Sequence, residues 1–164
     1  MERISKNIKE LLFAQISEEF NSSMLYQSIS EWAKYEGYFG IAKLYDKYAK
    51  EELEHMEKIM DYLQKRDIKA ITPTSTLIKT DFNVKDVVLK TIEHEIYITD
   101  KWKNISLASL KDNDFNTFSI AQWFMTEQIE EENKAFDLRN KLDKTGLDTI
   151  GIQLFDDFCN KKAE

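Results

Sequence analysis

The sequence predicts an all-α protein, a four-helix bundle with one long crossover between its second and third helices and a short fifth helix at the C-terminal end. Three observations predict it. Only one proline and four glycines occur in 164 residues, so little interrupts helical backbone. Apolar residues recur at steps of three and four along four long stretches, the period of one helix face. Between the second and third stretches lies a segment without helical period that is long enough to span the bundle. A chain of this length is expected to form a single domain, residues 1–164.

The first helix is expected over residues 4–35. It ends at Glu36-Gly37-Tyr38-Phe39-Gly40, where glycine supplies the backbone freedom of a turn. The second is expected over 41–66. Residues 67–82 follow, with Pro73, four threonines and a serine. Sixteen extended residues reach about 50 Å at roughly 3.3 Å each, against about 39 Å for a 26-residue helix. The chain can therefore return along the whole bundle, leaving the second and third helices parallel. Asn83 is a candidate N-cap, with Asp86 three residues on, for a third helix over 83–110. Lys111-Asp112-Asn113-Asp114 reads as a short turn into an antiparallel fourth helix over 114–143, and Gly146 as its stop. The fifth helix is expected over 147–158, and residues 160–164 are expected to fray.

Charge and cysteine usage narrow the function classes. The net charge is −7, from 30 acidic and 23 basic residues, which disfavours nucleic acid and anionic membranes and favours cations. No apolar stretch approaches the roughly 20 residues of a spanning helix, and Met1 to Glu10 lacks the apolar core of a signal peptide. The single Cys159 leaves no internal disulfide and no cysteine-rich zinc or iron–sulfur site. A cytoplasmic, reducing location is the expectation.

The informative anomaly is acidic residues inside apolar stripes. Ile41, Leu44, Tyr48, Ile59 and Tyr62 share their stripe with Glu52 and His55, an E-x-x-H pair. Val88, Ile92, Thr99, Trp102 and Ile105 share theirs with Glu95. Ile120, Phe124, Ala135, Leu138 and Leu142 share theirs with Gln128 and Glu131, and Leu12, Gln15 and Tyr26 with Glu19. Four carboxylates converging in one core need compensating positive charge, which Lys and Arg are not expected to supply at these positions. Metal cations would supply it. Glu52 and His55, three apart, share a helix face and can grip one ion together, and Glu127, Glu130 and Glu131 share a face likewise. Ligands that are mostly carboxylate with one imidazole suit iron or manganese better than zinc. Two such ions side by side can each give one electron to O2.

Glu19 with Ser22-Ser23-Met24-Leu25-Tyr26, Glu51-Glu52-Leu53-Glu54-His55-Met56, His94-Glu95 and Gln122-Trp123-Phe124-Met125-Thr126-Glu127-Gln128-Ile129-Glu130-Glu131 together resemble prokaryotic non-haem ferritins over nearly the whole chain. The resemblance implies a ferritin-like bundle. It implies one iron on Glu19, Glu52 and His55, and a second shared by Glu52 and held with Glu95 and Glu131, with Gln128 beside the pair. It implies a third iron site on Glu51, Glu127, Glu130 and Glu131, and electron-donating roles for Tyr26 and Trp123. Implied too are oxidation of Fe(II) by O2 or hydrogen peroxide, storage of ferric oxyhydroxide, and a homo-oligomeric cage of 24 subunits.

Departures separate the relatives. Haem-binding bacterioferritins carry a second E-x-x-H on the fourth helix and usually a methionine two residues before the first motif's histidine. This chain has Glu131 and Leu53 there, so no haem is expected. Rubrerythrins have two E-x-x-H motifs and a four-cysteine iron domain, against two histidines and one cysteine here. Miniferritins place their ligands between subunits.

Each feature also has a plainer reading. His94 faces roughly 100° away from the ligand stripe and reads as a surface residue or a support to the ligands. Glu127 to Glu132 read equally as a solvated acidic face, and Tyr26 and Trp123 as core packing. Glu54, Glu57 and Asp61 make an exposed face or a mineral-nucleating one, and Asp112 and Asp114 are placed to line a pore. Tyr35, Tyr38 and Phe39 suit a subunit contact. The rival functions are a free-standing di-iron peroxidase or oxidase that stores nothing, and a non-catalytic helical scaffold.

Overall fold

The computed structural model describes residues 4–76, 78 and 81–164. Parts of the expected crossover (Leu77, Lys79, Thr80) and the first three residues of the segment weighed as a signal peptide lie outside them. Five helices follow in order: α1 Lys6–Glu36, α2 Phe39–Lys65, α3 Val84–Lys111, α4 Phe115–Thr145 and α5 Thr149–Lys162.

Local chemistry sets most of these ends. Ser5 caps α1 by accepting from the Ile8 N–H at 3.3 Å. Gly37 stops it in the left-handed conformation, φ 83°, with its N–H on Lys34 O and the Tyr38 N–H on Ala33 O, so the last carbonyls of α1 are satisfied. Asn83 accepts from the Asp86 N–H at 2.9 Å, Asp114 from Thr117 at 3.1 Å and Asp148 from Gly151 at 2.7 Å, starting α3, α4 and α5.

The fifth helix differs from expectation. It begins at Thr149 and continues to Lys162, through residues expected to fray. Cys159 is buried, and Lys162 Nζ lies 2.8 Å from Asp137 on α4, so this last turn is held by tertiary contacts. Its seat on α2 is tight. The Ile41 N–H donates to Asp156 Oδ1 at 2.7 Å, and a Cβ at Gly40 would stand 2.0 Å from the Asp156 carbonyl oxygen.

Helix directions follow from paired contacts. The two-residue turn makes α1 and α2 antiparallel. Ser5 meets Asp112, Glu19 meets Trp102 and Ser22 meets His94, so α1 and α3 are antiparallel too. Hence α2 and α3 run parallel, as a crossover along the bundle requires. Tyr62 with Thr117 and Glu51 with Lys134 set α4 antiparallel to α2.

The core is divided. One apolar cluster, around Trp32, Tyr45, Val88, Leu138 and Phe155, fills the end nearest the α1–α2 turn. Another, around Ile8, Ile16, Leu63, Trp102 and Phe124, fills the opposite end. Between them lies a belt of buried polar residues: Glu19, Ser22, Ser23, Glu52, His55, Glu95, Gln128 and Glu131. Among the described residues no helix is long and apolar enough to cross a membrane.

Candidate metal centre

The members of the belt sit at core-facing positions of α1 to α4, most of them three or four residues apart on their helix, so helical period brings them inward. Glu19, Glu52 and His55 are all buried, and each offers a ligand atom within 4.8 Å of the others. Glu19 Oε1 accepts from Gln15 Nε2 and from the Trp102 indole N–H, both at 2.9 Å. Its other oxygen, Oε2, is buried without a hydrogen-bond partner among the described residues. An orphaned carboxylate oxygen in a core is costly unless a cation or proton meets it, and here it shares a pocket with a second carboxylate and an imidazole. His55 Nδ1 lies 3.2 Å from Glu52 Oε2. The His55 ring is held edge-on by Phe124 and Trp123, with centroids 5.6 and 6.0 Å away.

The electrostatics repeat this picture. Burial first, then the Glu52 carboxyl, pushes the Glu19 carboxyl up to about 8. Burial and then the Glu95 charge hold Glu52 well above the usual carboxylate range. Glu95 is pushed up to about 7, chiefly by burial and against the pull of its hydrogen bonds from Tyr26 and Gln128. Burial also raises Glu131, against the pull of Lys134. Crowded carboxyls that resist ionisation are a site short of positive charge.

Glu95 and Glu131 stand on the facing helices, but both oxygens of Glu95 and one of Glu131 are engaged. Glu95 accepts from the Tyr26 hydroxyl on one oxygen and from Gln128 Nε2 at 3.1 Å on the other. Glu131 Oε1 accepts from Lys134 Nζ at 2.8 Å. Among the described residues only Glu19, Glu52 and His55 close into a three-ligand group. Lys134 corrects the expectation that no basic side chain supplies charge at these positions. Its Nζ also lies 3.2 Å from Glu51 Oε2. At one-third exposed it falls outside the apolar stripe, and only its reach back along α4 brings its charge to the belt.

The remaining candidates sort by position. Gln128 is buried and Tyr26 is fully enclosed, edge-on to Tyr45 and Tyr48. Trp123 is 40% exposed and is not core packing; Lys58 Nζ sits 3.8 Å over its ring while its edge meets His55. Glu51 and Glu127 are half-buried and Glu130 is exposed. His94 is half-buried, 2.7 Å from Ser22 Oγ and edge-on to Tyr26, which makes it a support to the belt and not a surface residue. Glu54, Glu57 and Asp61 are exposed on α2. Tyr35 and Phe39 are 89% and 71% exposed, while Tyr38 packs on Trp32 and so is not part of a free aromatic face. Gln15 and Trp102 lie in the stripes read from sequence, but nothing in the spacing marks them as the donors that orient Glu19.

A bundle whose apolar core is cut by a belt of carboxylates and one imidazole defines the ferritin class, and the chain belongs to it: the ferritin-like domain family model matches residues 9–145. Among individual proteins it is 33% identical over 154 residues, 93% of each chain, to a probable bacterial non-heme ferritin-like protein of Haemophilus influenzae. It is 30% identical over 148 residues, 90% of each chain, to the bacterial non-heme ferritin of Escherichia coli. The fold matches that of an open-pore ferritin from the archaeon Archaeoglobus fulgidus with a TM-score of 0.93 and 26% identity, covering 98% of both chains.

Proposed function

We propose that this protein is an iron-storage ferritin whose subunits oxidise Fe(II) and deposit ferric oxyhydroxide inside a homo-oligomeric cage, of 24 subunits by the family's pattern. The observation that carries the reading is the buried group of Glu19, Glu52 and His55, whose ligand atoms lie within 4.8 Å of one another, with one Glu19 oxygen left without a hydrogen-bond partner among the described residues. Carboxylates with one imidazole are hard donors suited to iron, and the buried site lacks a counter-charge that an ion would bring, so the residues fit the metal.

In this reading Glu19, Glu52 and His55 receive one Fe(II), and Glu52 with Glu95 and Glu131 the other. Gln128 orients Glu95. Ionisation of the raised carboxyls on ion binding releases protons. Two ferrous ions supply two electrons to O2 or hydrogen peroxide, and Tyr26 and Trp123 stand beside them as reserve donors. Glu51, Glu127 and Glu130 face the path by which ferric product leaves. The related names and the family support storage over a free-standing di-iron oxidase.

Aerobic loading with a large excess of Fe(II), followed by size-exclusion chromatography with iron analysis, tests it. A soluble iron core co-eluting with a cage-sized particle is the expected result. Retention of only a few ions per subunit on a small oligomer would sink the storage reading in favour of the di-iron oxidase.

A further inference from the structure

Lys134 bridges two helices at the edge of the belt. Its ammonium is 2.8 Å from Glu131, three residues back on α4, and 3.2 Å from Glu51 on α2, with the Tyr48 ring centre 5.7 Å away. A positive charge between two carboxylates offsets half of their charge and occupies the place a bound ion would take. Glu127 and Glu130 join no three-ligand group with Glu51 or Glu131, although all four are described. The side chain that holds these carboxylates is one-third exposed, so it has water to swing into.

We infer that the Lys134 ammonium is a built-in counter-ion seated between Glu51 and Glu131, and that a metal ion gains those two carboxylates only by displacing it. The inference rests on the proposed reading of Glu131 as an iron ligand. Displacement makes the ion that needs Glu131 bind more weakly than the ion on Glu19, Glu52 and His55, which Lys134 does not touch. It likewise opposes a stable third ion on the Glu51 side. Lys134 is thus a residue that sets the order and strength of ion binding.

Calorimetric titration of the metal-free protein with Zn(II), which is redox-inert, separates the cases in wild type, Lys134→Met and Lys134→Arg. In Lys134→Met the weakest-bound class of ions is expected to tighten at least about tenfold, with the tightest ion unchanged within about twofold. Lys134→Arg, which keeps the charge, is expected to stay close to wild type. Circular dichroism and thermal melting confirm that the variants fold, which a partly exposed site favours. Equal affinities in wild type and Lys134→Met for every ion would overturn the inference while leaving the proposed centre standing. Absence of Zn(II) binding in all three proteins would overturn both.

Discussion

The indole N–H of Trp102 on α3 donates to the buried carboxylate of Glu19 on α1 at 2.9 Å. Trp102 is itself held by face-to-face stacking on Phe124, centroids 3.8 Å apart and planes 8° from parallel. The donor that fixes Glu19 is therefore fixed by α4, so three helices aim one oxygen at the site. Trp102→Phe keeps the stack and deletes the donor. The expected cost to the metal-free protein is about 1–3 kcal/mol, larger at pH 8.5 than at pH 5.5 because the lost N–H favours the ionised form. Thermal melting at both pH values checks this, and a loss independent of pH would assign Trp102 to packing alone.

Metal-free stability is expected to fall as pH rises. Glu19 and Glu95 have folded-state values of about 8 and about 7, above the ordinary 4.5. A group raised in the folded state contributes stability that is intact below its unfolded value and is lost as pH climbs through the folded one. The window therefore runs from about pH 4.5 to about pH 8. Melting in chelator should give a higher midpoint at pH 5.5 than at pH 8.5, and saturating Zn(II) should reverse the order, since ions bind the deprotonated ligands. The same midpoint trend with and without metal would contradict the assignment.

Glu52→Ala and His55→Ala should each lower the initial rate of Fe(II) oxidation at least about tenfold. Stopped-flow absorbance of the ferric product reads this directly, and a wild-type rate in either variant would remove that residue from the centre.

Gly40→Ala tests the seat of α5. The added Cβ would meet the Asp156 carbonyl oxygen at 2.0 Å, closer than any side-chain atom tolerates, so α2 and α5 must separate. A loss of about 1–3 kcal/mol and faster amide exchange across residues 149–162 are the expected outcomes. Unchanged exchange would show that α5 is not held by this approach.

Tyr26→Phe removes the donor to Glu95 while leaving the edge-on ring contacts with Tyr45 and Tyr48 in place. The variant should bind Zn(II) but release more partly reduced oxygen during iron oxidation, measured by a peroxide-sensitive dye. Equal release would return Tyr26 to a structural role.

The bundle was legible because its signals are local. Steps of three and four marked the buried faces, Asn83 and Gly37 marked ends, and a sixteen-residue gap with Pro73 gave the crossover room to return. The same periodicity put Glu19, Glu52 and His55 at core positions, while their grouping was implied by the family resemblance; their ligand atoms lie within 4.8 Å of one another. What was not legible depends on reach and on tertiary support. Lys134 is one-third exposed and lies outside the apolar stripe, and only its long stem carries its charge to Glu131. The last turn of α5 looks polar in sequence, yet Cys159 anchors it beneath and Lys162 ties it to Asp137. The engagement of Glu95 with Tyr26 and Gln128 is a choice of rotamer, which spacing does not encode.

The polar belt between the two apolar clusters makes the bundle mechanically uneven along its length. Glu19, Glu52 and His55 all belong to the α1–α2 hairpin, whereas Glu95, Gln128 and Glu131 belong to the α3–α4 hairpin. Wherever pH ionises these carboxyls, the seam between the hairpins presses like charges together at mid-height. A cation gripped from both sides would rivet the two hairpins together there, so that binding an ion would also stiffen the subunit across its middle.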